Sequence, residues 1–443
     1  MRLPLIEQPK RRGAQGGRNG GTASPDIDIA AVEREMKREV EGEARFDAAS
    51  RGAYSTDASN YRRVPAGVVV PRTDADVAAA VEICRKHGLP IVSRGGGTSL
   101  NGQCVTRGIV MDFSKHMNEI LDIDPERKIA RVQPGVVLDS LNARTIREHG
   151  LAFGPDPSTH SHCTFGGMIG NNSCGVHSIL AGRVSDNVRE MRILTSDGVR
   201  LTVGPTSEDE FSEQAKGDGR EGGIYADLLK LRNACAESIR ARYPDIPRRV
   251  SGYNLPDLLP ERDGNVAAAL VGSEGTCVTI LDATVRLVAW PAERVLLVLG
   301  YPSIYEAGDH VPEIMEAGPM GLEGLDDRLV EFMRLKRLHP EDVELMPGGQ
   351  GWLLVEFGGD SIEEASEQAK RLMDRLGDGD EAPHMELIED SAREERIWAV
   401  RESGLGATAF VPGKKDAWPG WEDVAIPPDK VGPYLRGFRS LLN

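Results

Sequence analysis

The sequence predicts an α+β protein built of two domains, and two features of the chain carry this prediction. From residue 64 onward, short apolar segments alternate with amphipathic segments of helical period, and glycine, proline or aspartate separates them. Near Trp290 and Pro291 the composition changes, and a second series of strand and helix signals begins. We therefore expect a first domain over residues 64–291 and a second α+β domain over residues 292–443.

The chain before residue 64 is expected to form two unlike segments. Residues 1–25 include a run rich in glycine and arginine that offers almost no apolar surface to bury. Such a segment cannot offset the entropy lost on ordering, so we expect a disordered arm. Residues 26–63 are predicted as a helical lead-in, because Asp26 or Asp28 can cap the amphipathic segment IDIAAVEREMKREVEG.

The first domain opens on AGVVVPRTDADVAAAVEICRKHGLPIVSRGGG, which is typical of a strand, a helix, a second strand and a glycine loop. Asp74 and Asp76 favour the start of the helix, and Gly88 favours its end. The segments GIVMDFS, EILDIDPERKIARVQPGV and MRILTSDGVRLTV predict strands and hairpins, since Asp-Pro or Asp-Gly interrupts their apolar alternation. A helix, VLDSLNARTIREHG, is predicted between them.

The second domain shows the same alternation. A strand is predicted at RVLLVLGYPS, a helix at IYEAGDHVPEIMEAG, a strand at GWLLVEFGG and a helix at SIEEASEQAKRLMDRLG. A cleft between two such domains is a preferred place for a ligand.

Composition argues against several classes of function. The formal net charge of −16 disfavours a nucleic-acid surface, which needs a basic patch. The sequence has no apolar run near the roughly 20 residues of a membrane-spanning helix. Its six cysteines include no CxxC pair, so we expect free thiols in a reducing cytoplasm rather than a metal or iron–sulfur site.

Four segments rich in small residues are the strongest functional signal. They are SRGGGTSLNGQ at 93–103, GPDPSTHSHCTFGGMIGNNSCG at 154–175, AGRVSDNV at 181–188 and VGSEGT at 271–276. One glycine loop is equally compatible with a structural turn. Four loops that carry many hydroxyl and amide groups point to one large polar ligand, such as a dinucleotide with a pyrophosphate. Neither a GxGxxG that opens a helix nor a GxxxxGK[ST] motif is present, so we expect another scaffold.

In this order along the chain, the segments resemble the FAD-binding domain of the vanillyl-alcohol-oxidase / p-cresol-methylhydroxylase type. Within that group the chain resembles the D-2-hydroxy-acid dehydrogenases of D-lactate, glycolate and D-2-hydroxyglutarate. It is most similar to the flavoprotein part of large bacterial members that carry a C-terminal iron–sulfur module. The resemblance covers about residues 45–440. It implies a two-subdomain FAD-binding domain followed by a partial α+β substrate domain, the FAD-linked oxidase C-terminal domain.

The resemblance also implies which residues bind FAD. The first loop would wrap the pyrophosphate, the second would line the flavin and its ribityl chain, and the last would close the site near the adenine. The implied residues are Gly95, Gly96, Gly97, Thr98, Ser99 and Gln103, then Pro155, Asp156, Ser158, Thr164, Gly167, Gly170, Asn171, Ser173 and Gly175, and finally Glu274, Gly275 and Thr276. Covalent attachment in this group commonly uses a histidine in the first loop, which has none here, so noncovalent FAD is expected.

Arg401 is the candidate for binding a substrate carboxylate. It lies in IWAVRESGLGA, which resembles the family segment whose arginine holds that group. A planar guanidinium fork can bind both carboxylate oxygens. The alternative is a helix arginine paired to Glu394 or Glu402. Leu405 and Trp421 depart from the residues of hydroxyglutarate-type members, which leaves a site for a second carboxylate in doubt.

The activity implied by the resemblance is FAD-dependent oxidation of a D-2-hydroxy acid by hydride transfer. The family's base comes from a histidine-rich segment, which also holds a divalent metal in related members, and this chain has no such segment before Asn443. We therefore expect an incomplete enzyme whose metal or iron–sulfur cluster would lie in a downstream segment. The alternative is a noncatalytic FAD-binding subunit that needs a partner. The electron acceptor, a quinone or an iron–sulfur module, stays open, and a cytoplasmic location, with peripheral contact to the inner membrane face as an option, is expected.

The histidines of the chain itself suggest no metal site. His160 and His162 could face one side of a strand, but no third ligand is evident. We expect polar loop residues there, and ordinary surface or core residues at the scattered positions His87, His116, His149, His177, His310, His339 and His384.

Overall fold

The computed structural model describes residues 27–378, 382–417 and 424–443. The predicted arm over residues 1–25 lies outside the described residues, as do Trp421 and the side chain of Leu405. No helix in the described ranges is long and apolar enough to cross a membrane.

Within the described ranges the strands form four sheets, with the orders β1-β2-β4-β3, β5-β6-β10-β8-β9, β11-β7 and β13-β14-β12-β15. Their bounds are β1 Glu43–Arg45, β2 Gly67–Val70, β3 Ile91–Arg94, β4 Ile109–Asp112, β5 Ile120–Asp124, β6 Ile129–Val132, β7 Leu151–Ala152, β8 Val188–Thr195, β9 Arg200–Val203, β10 Val278–Arg286, β11 Val288–Ala289, β12 Glu293–Tyr301, β13 Gly321–Asp326, β14 Gly351–Gly359 and β15 His384–Ile388.

The α-helices surround these sheets. Their bounds are α1 Ile29–Glu39, α2 Ala48–Ala53, α3 Asp74–His87, α4 Leu138–His149, α5 Phe165–Asn171, α6 Ser178–Ala181, α7 Val184–Asn187, α8 Glu208–Gln214, α9 Gly219–Arg242, α10 Val266–Leu270, α11 Ile304–Asp309, α12 Val311–Met315, α13 Asp327–Lys336, α14 Ile362–Gly377, α15 Ser391–Glu402, α16 Gly404–Thr408 and α17 Val431–Leu442.

The first sheet contains the predicted strand–helix–strand unit, which is confirmed. Strands β2 and β3 are both parallel to β4, which lies between them, and α3 connects β2 to β3. Thr73 caps α3 by accepting a 3.2 Å hydrogen bond from the Asp76 amide. The carboxylate of Asp76 instead accepts hydrogen bonds from the amides of Glu41 and Gly42, so this aspartate ties the lead-in to the sheet. Gly88 ends the helix with φ +67°.

The second sheet confirms both predicted hairpins. Strands β5 and β6 pair antiparallel, as do β8 and β9, and β10 pairs with β6 and β8 between them. The 24-residue helix α9 was not predicted, since its apolar residues are spread around the helix rather than forming one stripe.

The fourth sheet is buried on both faces, which explains the continuous apolar run of its central strand β12. Val295, Leu297 and Leu299 pack toward α14, whereas Leu296 and Val298 pack toward Ile397 of α15. The sheet therefore fixes α15 on the face opposite α14. The predicted domain boundary at residue 291 falls between β11 and β12 and stays a prediction.

The predicted length of one helix in this region is wrong. The segment expected as a single helix forms two short helices, α11 and α12, that meet at His310. Pro312 lies in the first turn of α12, where a missing amide hydrogen is tolerated, but its ring disfavours a continuous helix through the preceding turn.

Candidate functional site

The glycine loop that follows β3 is packed too closely for side chains. A Cβ placed on Gly95 would lie 1.9 Å from Thr164 Oγ1, and one on Gly96 would lie 2.2 Å from the carbonyl oxygen of His162. Gly97 has φ +68°, a conformation that L-residues rarely adopt. The first small-residue segment is thus packed directly against the second.

The hydroxyl of Thr164 is buried in this contact without a partner. Thr164 precedes α5, and its Oγ1 has no hydrogen-bond partner within the described part of the chain. A buried hydroxyl without a hydrogen-bond partner lowers the free energy of unfolding by about 1–3 kcal/mol. The contact between the two loops is therefore a place where a ligand's acceptor oxygen would be stabilised.

Helix α5 joins the other loops to this contact. Gln103 Nε2 donates to Asn171 Oδ1 at 3.0 Å, which ties the end of the first loop to the end of α5. The amides of Gly272 and Glu274 donate to the carbonyls of Ile169 and Gly170 at 2.8 and 2.9 Å. The predicted segments at 93–103, 154–175 and 271–276 therefore converge around one helix.

The segment 181–188 also packs against the end of α5. The amide of Ser185 donates to Asn172 Oδ1 at 3.0 Å, directly after α5. All four predicted segments are thus brought together. Two residues predicted to bind the ligand use their hydroxyl groups in contacts within the protein. Ser99 Oγ lies 3.2 Å from Cys104 Sγ, and Thr276 Oγ1 lies 2.9 Å from the Tyr253 hydroxyl.

Residues 154–177 fold back on themselves at Asp156. A Cβ on Gly175 would lie 1.9 Å from the Asp156 carbonyl oxygen, so this glycine permits a close backbone contact. Asp156 Oδ1 accepts a 2.9 Å bond from the His177 amide, and Arg248 Nη2 donates to the Gly175 carbonyl at 2.8 Å. Arg248 and Tyr253 belong to RRVSGYNL, a segment that sequence analysis did not select because it is not glycine-rich.

Arg401 lies at the end of α15 and is paired to neither of the two glutamates considered from the sequence. Its Nε and Nη2 donate to one oxygen of Glu323 on β13, at 2.8 and 2.7 Å. The side chain is one-third exposed, with a relative accessibility of 33%. Glu323 thus holds one edge of the guanidinium, and the Nη1 side is left for another acceptor.

His160 links the second small-residue segment to the same helix end. Its Nδ1 lies 2.8 Å from Asp139 Oδ1, and its Nε2 lies 3.4 Å from Glu402 Oε1. The contact with Glu402 raises the pKa of His160 to about 9, because this pair and the one with Asp139 outweigh its partial burial. His160 is the polar loop residue expected from the sequence, and in its charged form it also joins Asp139 to α15 beside Arg401.

The described residues contain no group of three or more His, Cys, Asp or Glu that could hold a metal ion. His160 and His162 lie in a turn rather than on a strand, and His162 Nδ1 contacts Ser161 Oγ at 2.8 Å.

Two family models match this chain. Residues 65–204 match an FAD binding domain, and residues 290–443 match the C-terminal domain of FAD linked oxidases. The first match includes the first two glycine loops and α5, and the second includes the sheet that carries Glu323 and helix α15.

Curated relatives of three kinds are similar to this chain. The D-2-hydroxyglutarate dehydrogenase of Pseudomonas putida is 31% identical over 413 residues, which are 91% of this chain and 41% of that protein. The glycolate oxidase subunit GlcD of Bacillus subtilis is 28% identical over 92% of this chain and 75% of its own length. A probable mitochondrial D-lactate dehydrogenase of Danio rerio is 29% identical over 87% of this chain and 68% of its own length. The chain spans about two fifths of the length of the D-2-hydroxyglutarate dehydrogenases that it matches.

Solved structures support the fold. Alkyldihydroxyacetonephosphate synthase superposes with a TM-score of 0.58 at 18% identity, over 85% of this chain and 65% of that one. At this identity the likeness concerns the fold alone.

Fold and site together define a flavoprotein with a two-subdomain FAD-binding domain and an oxidase-type C-terminal domain. The chain contains the FAD binding domain and the C-terminal domain of FAD linked oxidases, it is similar to FAD-linked hydroxy-acid dehydrogenases, as the resemblance implied, and its cofactor is FAD.

The residues of the site fit this cofactor. The glycines of loop 95–97 have no side chains of their own, and the buried Thr164 hydroxyl beside them lacks an acceptor among the described residues. When bound, FAD supplies the hydride acceptor of the reaction, and the protein supplies position and charge.

Replacing Thr164 with valine should weaken the binding of FAD without lowering the stability of the apoprotein. A hydrogen bond to a charged ligand group contributes about 1.5–3 kcal/mol, so the dissociation constant for FAD should rise about tenfold or more. The unfolding free energy of the apoprotein should stay equal or increase, because the hydroxyl is unpartnered there. Calorimetric titration of apoprotein with FAD and urea unfolding measure the two quantities.

Thr145→Val is the matched control, because the buried Thr145 hydroxyl donates to the Leu141 carbonyl at 3.1 Å. It should lower the unfolding free energy and leave FAD affinity unchanged. Equal FAD affinity in Thr164→Val and wild type would exclude Thr164 from the cofactor site.

Proposed function

We propose that this chain is the flavoprotein part of an FAD-dependent dehydrogenase that oxidises D-2-hydroxy acids at C2. The observation that carries the proposal is Arg401, a partly exposed guanidinium with one edge held by Glu323. His160 ties the glycine-rich segment 154–175 to the helix that bears this arginine. The names of the relatives, which act on D-2-hydroxyglutarate, glycolate or D-lactate, support the same substrate class.

We infer that the cofactor is held by three loops. The backbone of Gly95, Gly96 and Gly97 would bind the pyrophosphate with Thr98, Ser99, Gln103 and Thr164. Segment 155–175 would line the flavin, through Pro155, Asp156, Ser158, Gly167, Gly170, Asn171, Ser173 and Gly175, and Glu274, Gly275 and Thr276 would close the adenine side. The convergence of these segments around α5 supports this assignment.

The binding of FAD should be noncovalent, since loop 93–103 contains no histidine. Acid precipitation of the purified protein is therefore expected to release all yellow colour as FAD into the supernatant. A yellow pellet would contradict noncovalent binding, and FMN in the supernatant would contradict the dinucleotide. Chromatography of the supernatant with both standards makes the measurement.

The role proposed for Arg401 is to bind and orient the substrate carboxylate. Glu323 takes the Nε and Nη2 hydrogens on one edge, so the guanidinium is held in a fixed plane. A carboxylate can then bind at the remaining Nη hydrogens, which orients C2 relative to that plane.

Arg401→Met should weaken the binding of D-lactate or D-2-hydroxyglutarate about 30-fold, corresponding to about 2 kcal/mol for a lost charge-assisted pair. Calorimetric titration of the FAD-loaded protein measures this change. Arg396→Met on the same helix is the control, because Arg396 pairs with Asp342 and should leave affinity unchanged. Unaltered affinity in Arg401→Met would contradict the proposed role.

We propose further that the proton acceptor comes from a segment outside these 443 residues. A base needs a free lone pair, and two candidates in the chain lack one. His160 and His177 each contact two carboxylates, and both have raised pKa values. The share of 41% that the chain covers of its D-2-hydroxyglutarate dehydrogenase relatives is compatible with such a segment.

The FAD-loaded chain alone should therefore be reduced slowly by any 2-hydroxy acid. Addition of a histidine-rich segment, in cis or as a separate chain, should raise the rate about 10²–10⁴-fold, the usual contribution of acid–base catalysis. Anaerobic stopped-flow absorbance measures the bleaching of the flavin. Rapid bleaching by the chain alone would show that the base lies within it, and His162, which contacts the Ser161 hydroxyl rather than two carboxylates, would be mutated first. No bleaching with the segment present would favour a noncatalytic FAD-binding subunit.

A further inference from the structure

Four side chains form a closed ring of contacts where the chain passes from β11 to β12. His177 Nε2 contacts Glu356 of β14, and Glu356 Oε1 lies 3.5 Å from Nη1 of Arg294. The Arg294 guanidinium lies over Trp290, 5.6 Å from the centroid of its ring. The rings of Trp290 and His177 close the cycle edge to face, with centroids 4.8 Å apart. The cycle joins residue 177, which follows the second glycine-rich segment, to the sheet of the C-terminal part.

The His177 imidazole is placed to donate two hydrogen bonds. Its Nδ1 contacts Asp156 and its Nε2 contacts Glu356, so a carboxylate faces each nitrogen. A neutral imidazole has one N–H, whereas the imidazolium can donate to both partners. Burial disfavours this charge, but the bonds to Asp156 and Glu356 outweigh it and raise the pKa of His177 to about 10. Because His177 and Glu356 are both buried, these charge-assisted bonds are shielded from water.

The two bonds tie a turn of the glycine-rich segment to the sheet. Asp156 accepts from His177 Nδ1 and also, at 2.9 Å, from the His177 amide. Val176 contacts Gly321 of β13 so closely that a Cβ on this glycine would lie 2.8 Å from Val176 Cγ1. Asp156, Val176 and His177 are therefore held against β13 and β14 together.

The contact of His177 lies on the sheet face that also holds Arg401. Glu356 pairs with Gly321 in the register of β14 and β13, and Glu323 is two residues further along β13, on the same face. Glu323 accepts from Nε of Arg401 at 2.8 Å. One face of the sheet thus binds two cations through carboxylates, the imidazolium of residue 177 and the guanidinium of α15.

We propose that His177 is a positioning residue: its two hydrogen bonds fix segment 154–177 on the sheet that holds Arg401, and so set the distance between the flavin and a substrate bound at Arg401. This inference rests on the proposed function, in which the segment lines the flavin and Arg401 binds the substrate carboxylate. Apolar side chains of equal volume often stabilise an interface as much as a buried ionic contact does. Directional bonds hold two elements in one relative position, and positioning is therefore the role that these contacts support.

The test compares the FAD-loaded wild type with His177→Phe, which keeps a ring against Trp290 but has no donor. Pyruvate is the probe, because it is the 2-keto acid formed from D-lactate and cannot reduce oxidised flavin. Its dissociation constant, measured by calorimetry, should stay unchanged in His177→Phe, since Arg401 and Glu323 remain paired. The change that bound pyruvate causes in the visible absorbance of the flavin should fall to about half or less, because a more distant charge perturbs the ring less. A wild-type absorbance change in His177→Phe would contradict the proposed role.

The double variant His177→Phe/Glu356→Leu separates positioning from stability. His177→Phe alone removes a charged partner of the buried Glu356, so the midpoint of urea unfolding should shift to lower urea. Glu356→Leu removes the buried carboxylate and should restore the midpoint, because the side chains of Asp156 and Arg294, 22% and 35% exposed, can reach water. The absorbance change with pyruvate should stay reduced. Its return to the wild-type size would show that His177 only compensates charge, and would overturn the inference.

Hydrogen exchange of the α6 amides gives a readout without any substrate. The amide of Ala181 donates to the His177 carbonyl at 3.0 Å, so this helix begins at the residue that is replaced. Residues 178–182 should exchange faster in both variants, including the double variant whose urea midpoint is restored. Wild-type exchange rates in His177→Phe would contradict the positioning role.

His87→Phe is the matched control, because it removes another contact between an imidazole and a carboxylate, 3.2 Å from His87 Nε2 to Glu35 Oε1. It should leave the absorbance change and the exchange of residues 178–182 as in wild type. If wild type binds no pyruvate, the proposed function fails, and hydrogen exchange still decides the role of His177. If His177→Phe does not fold, the double variant decides it.

Discussion

The close contact of the first glycine loop with residues 162–164 is the constraint on which the cofactor site depends. Gly95 and Gly96 can lie against Thr164 and the His162 carbonyl only because neither has a side chain. This contact brings β3 and α5 together, although 70 residues separate Gly95 from Phe165. The loop keeps its backbone exposed at Gly96, and the unpartnered Thr164 hydroxyl lies buried in the contact between the two segments.

The second half of the molecule is held to this site by charge rather than by apolar packing alone. His177 contacts Glu356, and His160 contacts Glu402, so two histidines of segment 154–177 reach the sheet and the helix of the C-terminal part. Each histidine also has an aspartate on its other nitrogen, Asp156 or Asp139. Because both contacts are charge-assisted, the relation between segment 154–177 and Arg401 depends on the protonation of these imidazoles.

Local patterns in the sequence predicted the parts of the fold that depend on neighbours in the chain. The hairpins β5–β6 and β8–β9 follow from apolar alternation across one turn, and the end of α3 follows from Gly88. The break between α11 and α12 could have been found from Pro312, whereas α9 has no apolar stripe to find. The convergence of the glycine loops was predictable because one ligand needs them all. The partners of His177 and Arg401, 179 and 78 residues away, have no local signal.

The position of Glu323 is compatible with the carboxylate-binding role proposed for Arg401. A glutamate that occupied the whole guanidinium would compete with the substrate, but Glu323 uses one oxygen and one edge. The guanidinium keeps its charge and the hydrogens of its Nη1 side, so a second carboxylate can bind at a different edge of the same plane. Lysine could not serve both partners in this way, because its ammonium is a point charge without fixed edges. Such an arrangement holds the arginine still before the substrate arrives, which reduces the entropy lost on binding.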